Sequence, residues 1–209
     1  MFKSNDWFFI GMKTIIVTGT PCTGKTTLAK TLAKKLNFNY IDANKIVKKY
    51  NIAEGYDKKR KTKIVDANKL NKALIKEIET IKKYQLNKKS IIKNINIENS
   101  IKDKSIKSNK NKKIKNKNIE NGIIIDSHLS HYLPKKCVDL CIVAKCDIRE
   151  LKRRLENRGY DKNKVRENLD AEIFDVCLSE AKEMKHEVFT IATTKGINPN
   201  KLINKINKI

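Results

Sequence analysis

Apolar residues along the chain fall into two patterns, short unbroken runs and longer stretches at helical spacing. The runs lie at residues 14–18 (TIIVT), 123–125 (III) and 138–144 (VDLCIVA, broken only by Asp139), and more mixed strands are expected at 39–41 (NYI) and 186–192 (HEVFTIA). Continuous rather than alternating apolarity predicts strands covered on both faces. Between the runs, Leu28, Leu32 and Leu36 mark one helix, and Leu70, Leu74, Ile78 and Ile81 mark the inward face of another. The start signals agree: Asp42 is placed to cap residues 43–49, Asp66 the helix that follows it, and Asp147 the segment IRELKRRLENR, which ends before Gly159 in C-cap position. A short helix is expected after the third strand, and a long one over residues 162–185, with Leu169, Ile173, Val176 and Leu178 turned inward. Asn198 as cap and Pro199 as first helical residue predict a terminal helix. Strands interleaved with helices give an α/β class, with a five-stranded parallel sheet flanked by helices and joined by right-handed crossovers. Ligands are then expected at the carboxyl ends of the strands.

Two stretches fit neither pattern. Residues 50–66 (YNIAEGYDKKRKTKIVD) are polar and non-periodic, as a surface loop would be. Residues 87–118 consist almost wholly of Lys, Asn, Ile and Ser, with Glu98 and Asp103 as their acids, and have too few large apolar groups to offset the entropy of ordering. Disorder or a loosely helical excursion is expected there, and a basic arm touching RNA is the alternative. The apolar patch Trp7–Ile10 is far below membrane-spanning length, so residues 1–12 read as an N-terminal extension ahead of one domain over residues 13–209, with no membrane partner. The length of 209 residues supports one substantial core. A formal net charge of +24 favours polyanionic partners. Five cysteines, with no C-x-x-C pair, read as reduced thiols of a cytoplasmic protein rather than as staples or zinc ligands.

The chemistry concentrates in GTPCTGKT, residues 19–26, which matches G-x-x-x-x-G-K-[ST] between a predicted strand and a predicted helix. Backbone N–H groups of such a turn and the positive helix end cradle phosphates; Lys25 reaches the β and γ phosphates of ATP, and Thr26 is placed to ligate Mg²⁺. Cys22 contributes mainly its backbone N–H. Asp126, ending an apolar strand, is the candidate acid that orients the attacking group or contacts Mg²⁺ through water. His128 lies two residues on and is placed to contact substrate or polarise a water; His131 has less claim. Of six arginines, Arg149, Arg153, Arg154 and Arg158 share one predicted helix. Arg158, beside Gly159 and Tyr160, is the best candidate for delivery to the phosphates by a closing lid, with Arg154 second.

The stretches TGTPCTGKTTLAK, GYDKK, GIIIDSH and RRLENRGYDKNKVRENLDAEIFDV resemble the adenylate kinase isoenzyme 6 family, from Lys13 to the C-terminus apart from residues 87–118. The resemblance implies a P-loop NTPase fold of the nucleoside monophosphate kinase type. It also implies reversible transfer of the terminal phosphate of ATP to AMP or a related monophosphate, with ATP hydrolysis beside it. A role in late small-subunit (16S rRNA) maturation, through a small-subunit ribosomal protein of the S11 type, comes with it. Carried over, the ATP loop falls on Cys22, Gly24, Lys25, Thr26 and Thr27, the monophosphate region on residues 39–66, the acid and histidine on Asp126 and His128, and the lid on residues 157–168 with Arg158 contacting nucleotide. Family members commonly carry glycine where this chain has Cys22, a change that is tolerable if φ there is negative. The monophosphate region holds Arg60 as its one arginine, which favours an alternative: a ribosome-assembly ATPase acting as a switch, its kinase chemistry weak. A base-reading RNA module is disfavoured, because no aromatics are interleaved with the basic residues of 87–118.

Overall fold

The structure, a computed structural model, describes residues 11–58, 62–102, 121–196 and 198–209. Its central strand is β1 (Lys13–Thr18), whose residues Ile15 and Val17 pack into one apolar layer and Ile16 into the opposite one. Strand β5 (Gly122–Asp126) repeats this, with Ile124 facing one layer and Ile123 and Ile125 the other, all three withdrawn from water. Alternate side chains of a strand point to opposite faces, so an unbroken apolar run is what a strand between two helical layers requires. Burying each isoleucine contributes roughly 1.5–3 kcal/mol. The five-stranded sheet has the order β2-β5-β1-β6-β7, every pair parallel, with β2 at Asn39–Asp42, β6 at Leu140–Lys145 and β7 at Val188–Ala192.

The helices α1 (Lys25–Leu36) and α7 (Asn200–Lys208) supply Leu28, Leu32, Leu202 and Ile206 to one layer. The helices α2 (Ala43–Lys49), α3 (Ala67–Lys102) and α6 (Val176–Glu183) cover the other, with Ile46, Leu70, Leu74, Ile78 and Ala181. A third, smaller cluster lies between α4 (Ile148–Asn157) and α5 (Lys162–Ile173), where Leu151, Leu155 and Val165 meet Tyr160, Leu169 and Cys22. The caps expected from sequence form: Asp42 accepts from the Asn44 N–H, Asp66 from Asn68 and Lys69, and Asp147 from Arg149 and Glu150. Helix α4 closes through Gly159, at φ 76°, whose N–H donates to the Glu156 carbonyl. Asp139, which interrupts the third apolar run, accepts the Thr14 N–H at 2.6 Å and so pins the beginning of β6 to β1.

Several elements differ from the sequence reading. Residues 50–66 contain an antiparallel hairpin, β3 (Ala53–Asp57) and β4 (Thr62–Val65), rather than a plain loop. Its footing is Ala53 and Val65 packed on the core, while Tyr56 and Ile64 stay exposed, so no clean alternation marks it. The long helix expected over 162–185 breaks at Phe174–Asp175, where Asp175 takes a left-handed φ of 53° and ion-pairs with Lys145. That turn leaves Ile173 56% and Phe174 73% exposed; Ile173 and Val176 do not face inward as the periodicity predicts, whereas Leu169 and Leu178 do. Two short 3₁₀ turns, Ser130–Tyr132 and Lys135–Cys137, stand where a helix was expected after β5. Asn198 accepts the Asn200 N–H, and Pro199 immediately precedes the terminal helix instead of opening it. Helix α3 runs on into the Lys/Asn-rich stretch as far as Lys102; residues 103–118 of that stretch, residues 1–10 and Arg60 lie outside the described residues.

Candidate active site at the phosphate loop

The chain leaves β1 at Thr18, turns through residues 19–24 and enters α1 at Lys25, directly above the carboxyl edge of the sheet. Gly19, at φ 138°, passes so close to β6 that a Cβ there would lie 2.5 Å from the Ala144 carbonyl oxygen. No side chain fits, and the glycine is required. The turn is fastened from three directions. The Thr23 N–H and hydroxyl both reach the Thr20 carbonyl, at 3.2 and 2.8 Å. The Thr193 hydroxyl, from the segment after β7, donates to the Thr23 carbonyl. The Thr20 hydroxyl donates to Glu172 of α5 at 2.6 Å. Gly24 caps α1 at φ 90° without a side-chain bond, so the first N–H groups of the helix are left to face a ligand.

Cys22 does not meet the condition set for it. Its φ is +69°, in the left-handed region, so the position is one that glycine suits and a Cβ strains. The side chain is held by the small cluster with Tyr160 and Leu169, and its sulfur lies 3.7 Å from Nη1 of Arg158.

Lys25 is half-buried, and its withdrawal from water lowers the pKa of its ammonium. Asp126, then Cys177 and Cys22, oppose that shift, and Arg158 adds to it. A positive group partly stripped of water and short of negative charge is prepared for an anion. Thr26 and Thr27 are exposed at the mouth of the turn. Asp126 is 5% exposed, paired in register with Val17 of β1 and Asp42 of β2, so its strand brings it beside the loop. The Tyr40 hydroxyl donates to Asp126 Oδ2 at 2.9 Å, and burial with that bond raises the pKa of the phenol. His128 reaches solvent; partial withdrawal from water and the positive fields of Lys25 and His131 place its imidazole below the ordinary histidine range, so it is neutral at physiological pH. Buried His131 does not face the loop mouth: its Nδ1 meets the Thr18 hydroxyl at 2.8 Å and its Nε2 lies 2.9 Å from Glu180.

Arg158 sits at the end of α4, exposed, 5.5 Å from the Tyr160 ring centre and against Cys22, hence next to the phosphate loop. Arg154 is committed elsewhere, to Glu150 at 2.7 Å and to the carbonyls of Thr193 and Thr194. Arg153 makes a two-pronged pair with Glu150 on the outer face of the helix. The structure thus brings Cys22, Gly24, Lys25, Thr26, Asp126 and Arg158 to one strand end. Sequence reasoning missed Tyr40, Thr20, Thr193 and Glu172; the one signal was that Glu172 falls in the ENLDAEIFDV block singled out for its resemblance. For Mg²⁺, the Thr26 hydroxyl at the start of α1 and the Asp126 carboxylate at the end of β5 are sparse, hard-oxygen donors, which suit an ion that keeps its waters and binds phosphate oxygens. Among the described residues, no cluster of three or more His, Cys, Asp or Glu is arranged to hold a metal by itself, and no helix is long and apolar enough to cross a membrane.

A family model described as "AAA domain" matches residues 15–175. A Methanocaldococcus jannaschii protein named "Putative adenylate kinase" is 35% identical over 84% of this chain and 76% of its own length. A Dictyostelium discoideum "Adenylate kinase isoenzyme 6 homolog" is 30% identical over 89% of this chain and 85% of its own. A solved shikimate kinase from Acinetobacter baumannii covers 96% of this chain and 93% of its own, at 14% identity and a TM-score of 0.47. With the phosphate loop, the strand-end acid and the following α4–α5 block all inside the matched region, the chain belongs to the adenylate kinase isoenzyme 6 family.

Proposed function

We propose that the protein is a nucleoside monophosphate kinase that transfers the γ-phosphate of ATP, as its Mg²⁺ complex, to AMP or a related monophosphate. The observation that carries this reading is the convergence of Lys25, Asp126 and Arg158 on one turn of main-chain amides. Lys25 binds the β and γ oxygens, and the amides of residues 19–24 hold the rest of the chain of phosphates. Thr26 and, through water, Asp126 would hold Mg²⁺, which would supply neutralisation of charge on the phosphate oxygens. Asp126, kept in place by Tyr40, orients the acceptor oxygen, and neutral His128 accepts or donates a hydrogen bond at the mouth. Arg158 swings from Cys22 onto the transferring group and its fork spreads over the equatorial oxygens. The acceptor lies over residues 39–66, and residues 157–168 close to keep water out.

ATP hydrolysis beside the transfer, and a part in late small-ribosomal-subunit maturation with an S11-type ribosomal protein and contact to rRNA, extend the same proposal. The charge of +24 and the basic length of α3 support the RNA contact. The poverty of arginine in residues 39–66, where Arg60 stands alone, favours as a second reading an assembly ATPase whose hydrolysis drives a switch. Separate assays of ADP and of free phosphate, with and without AMP, decide between them. AMP-stimulated ADP formation without matching free phosphate is expected; equal turnover with and without AMP would remove the kinase role. Lys25→Ala is expected to abolish both modes and to cost MgATP binding at least about tenfold.

A further inference from the structure

A buried carboxylate is an expensive group to keep, and replacing one with a shape-matched apolar residue often costs no stability. Glu172, in the last turn of α5, is 4% exposed and fully engaged. Its Oε2 accepts the hydroxyl of Thr20, itself 2% exposed and second in the phosphate loop, at 2.6 Å. Its Oε1 accepts the backbone N–H of Cys146 at 2.9 Å and lies 3.2 Å from Nζ of Lys145, both at the end of β6. Lys145 also donates to the Glu172 carbonyl at 3.0 Å and pairs with Asp175 at the break between α5 and α6. One carboxylate therefore joins three separate pieces of chain: the first half of the phosphate loop, the carboxyl end of β6, and the helix that follows the lid arginine. The Thr20 carbonyl is held by Thr23 inside the loop, and the hydroxyl bond to Glu172 ties the Gly19–Thr20 half to α5. Val165 and Leu169 of α5 belong to the same small apolar cluster as Cys22, a second hold on the loop.

We propose that Glu172 is a positioning residue which, through Thr20, holds the phosphate loop in its nucleotide-binding shape and makes α5 the fixed base against which Arg158 moves. This rests on the reading of the loop as the MgATP site. Glu172→Gln keeps the shape but turns an acceptor into a donor towards Thr20, Thr20→Val removes the hydroxyl, and Thr20→Ser keeps it. Dissociation constants for MgATP, per titrated site, together with turnover, are the readouts. Glu172→Gln and Thr20→Val are each expected to weaken MgATP binding and lower turnover by about tenfold. The double variant is expected to be no worse than the worse single one, and Thr20→Ser to recover most of the loss. Losses that add, or variants that melt earlier yet bind normally per site, would overturn the assignment. Should Glu172→Gln fail to fold, Thr20→Val against Thr20→Ser decides alone, equal affinities overturning it. Wild-type protein that binds MgATP but phosphorylates no monophosphate removes the kinase reading and leaves this test standing; failure to bind MgATP removes both.

Discussion

At the scale of single residues the phosphate loop sets a conflict between conformation and contact. Cys22 holds a backbone angle that costs an L-residue roughly 1–2 kcal/mol, while its side chain gains packing against the cluster of Cys146, Leu151, Leu155 and Val165 and a polar contact with Arg158. Replacement by alanine keeps the strain and loses the sulfur; replacement by glycine relieves the strain as well. Cys22→Gly is therefore expected to be more stable than Cys22→Ala by about 1 kcal/mol, a difference of some 2–4 °C in a chain of this size. Calorimetric melting of the two variants measures it, and equal melting points would mean that the turn relaxes around residue 22 without cost. The sequence showed the cysteine in a glycine position but not the sign of φ, which is set by how the loop closes over β1 and β6.

At the scale of elements, the end of α4 and the beginning of α5 are the part proposed to move as a lid. Among the described residues Arg158 contacts Cys22 and the Tyr160 ring and pairs with no carboxylate, so its move to a phosphate would break no ion pair there. Arg158→Ala is expected to lower kcat about a hundredfold, with a smaller change in KM for ATP, because the contact tightens as the phosphoryl group transfers. Steady-state kinetics checks this, and unchanged kcat would take Arg158 out of the chemistry. The inner strands β1, β5 and β6 were legible because burial on both faces forces unbroken apolar runs, and the helix starts because Asp42, Asp66 and Asp147 are side-chain caps with local partners. What stayed hidden depends on distant partners. The hairpin rests on Ala53 and Val65 meeting the core, and the break at Asp175 on Lys145, thirty residues away in sequence. Glu172 on an otherwise charged helix reads as solvent-facing until Thr20, 152 residues earlier, is brought to it. Tyr40 likewise gains its meaning from Asp126, 86 residues on. Lys25, Asp126 and Arg158 could be nominated because they lie at strand and helix ends, where a sheet of this topology gathers its ligands.

For the molecule as a whole, sheet order and charge divide the work. Crossing from β5 over β1 to β6 places the phosphate loop and Asp126 at one edge, while α3 extends for 36 residues, or roughly 54 Å at the rise of an α-helix. Leu70, Leu74 and Ile78 anchor its first half on the core; farther along, Tyr84, Leu86 and Ile91 are exposed among lysines. With a net charge of +24, contact with RNA is expected to run through phosphates rather than base edges. Affinity for a duplex RNA of arbitrary sequence should fall by about a thousandfold or more between about 50 and 200 mM salt if six or more phosphates are neutralised. A filter-binding series checks this, and a flat salt profile would exclude the charge as the source of binding.

The partly dehydrated ammonium of Lys25 holds its proton less firmly than free lysine does, and a bound triphosphate would reverse that. Across the interval between the two titration midpoints, nucleotide capture draws a hydrogen ion from the medium, so affinity climbs as pH drops through that interval and levels off beneath it. Calorimetric heats in buffers of differing ionisation enthalpy would then diverge within that interval and merge below it, reporting the occupied cradle without any catalytic turnover.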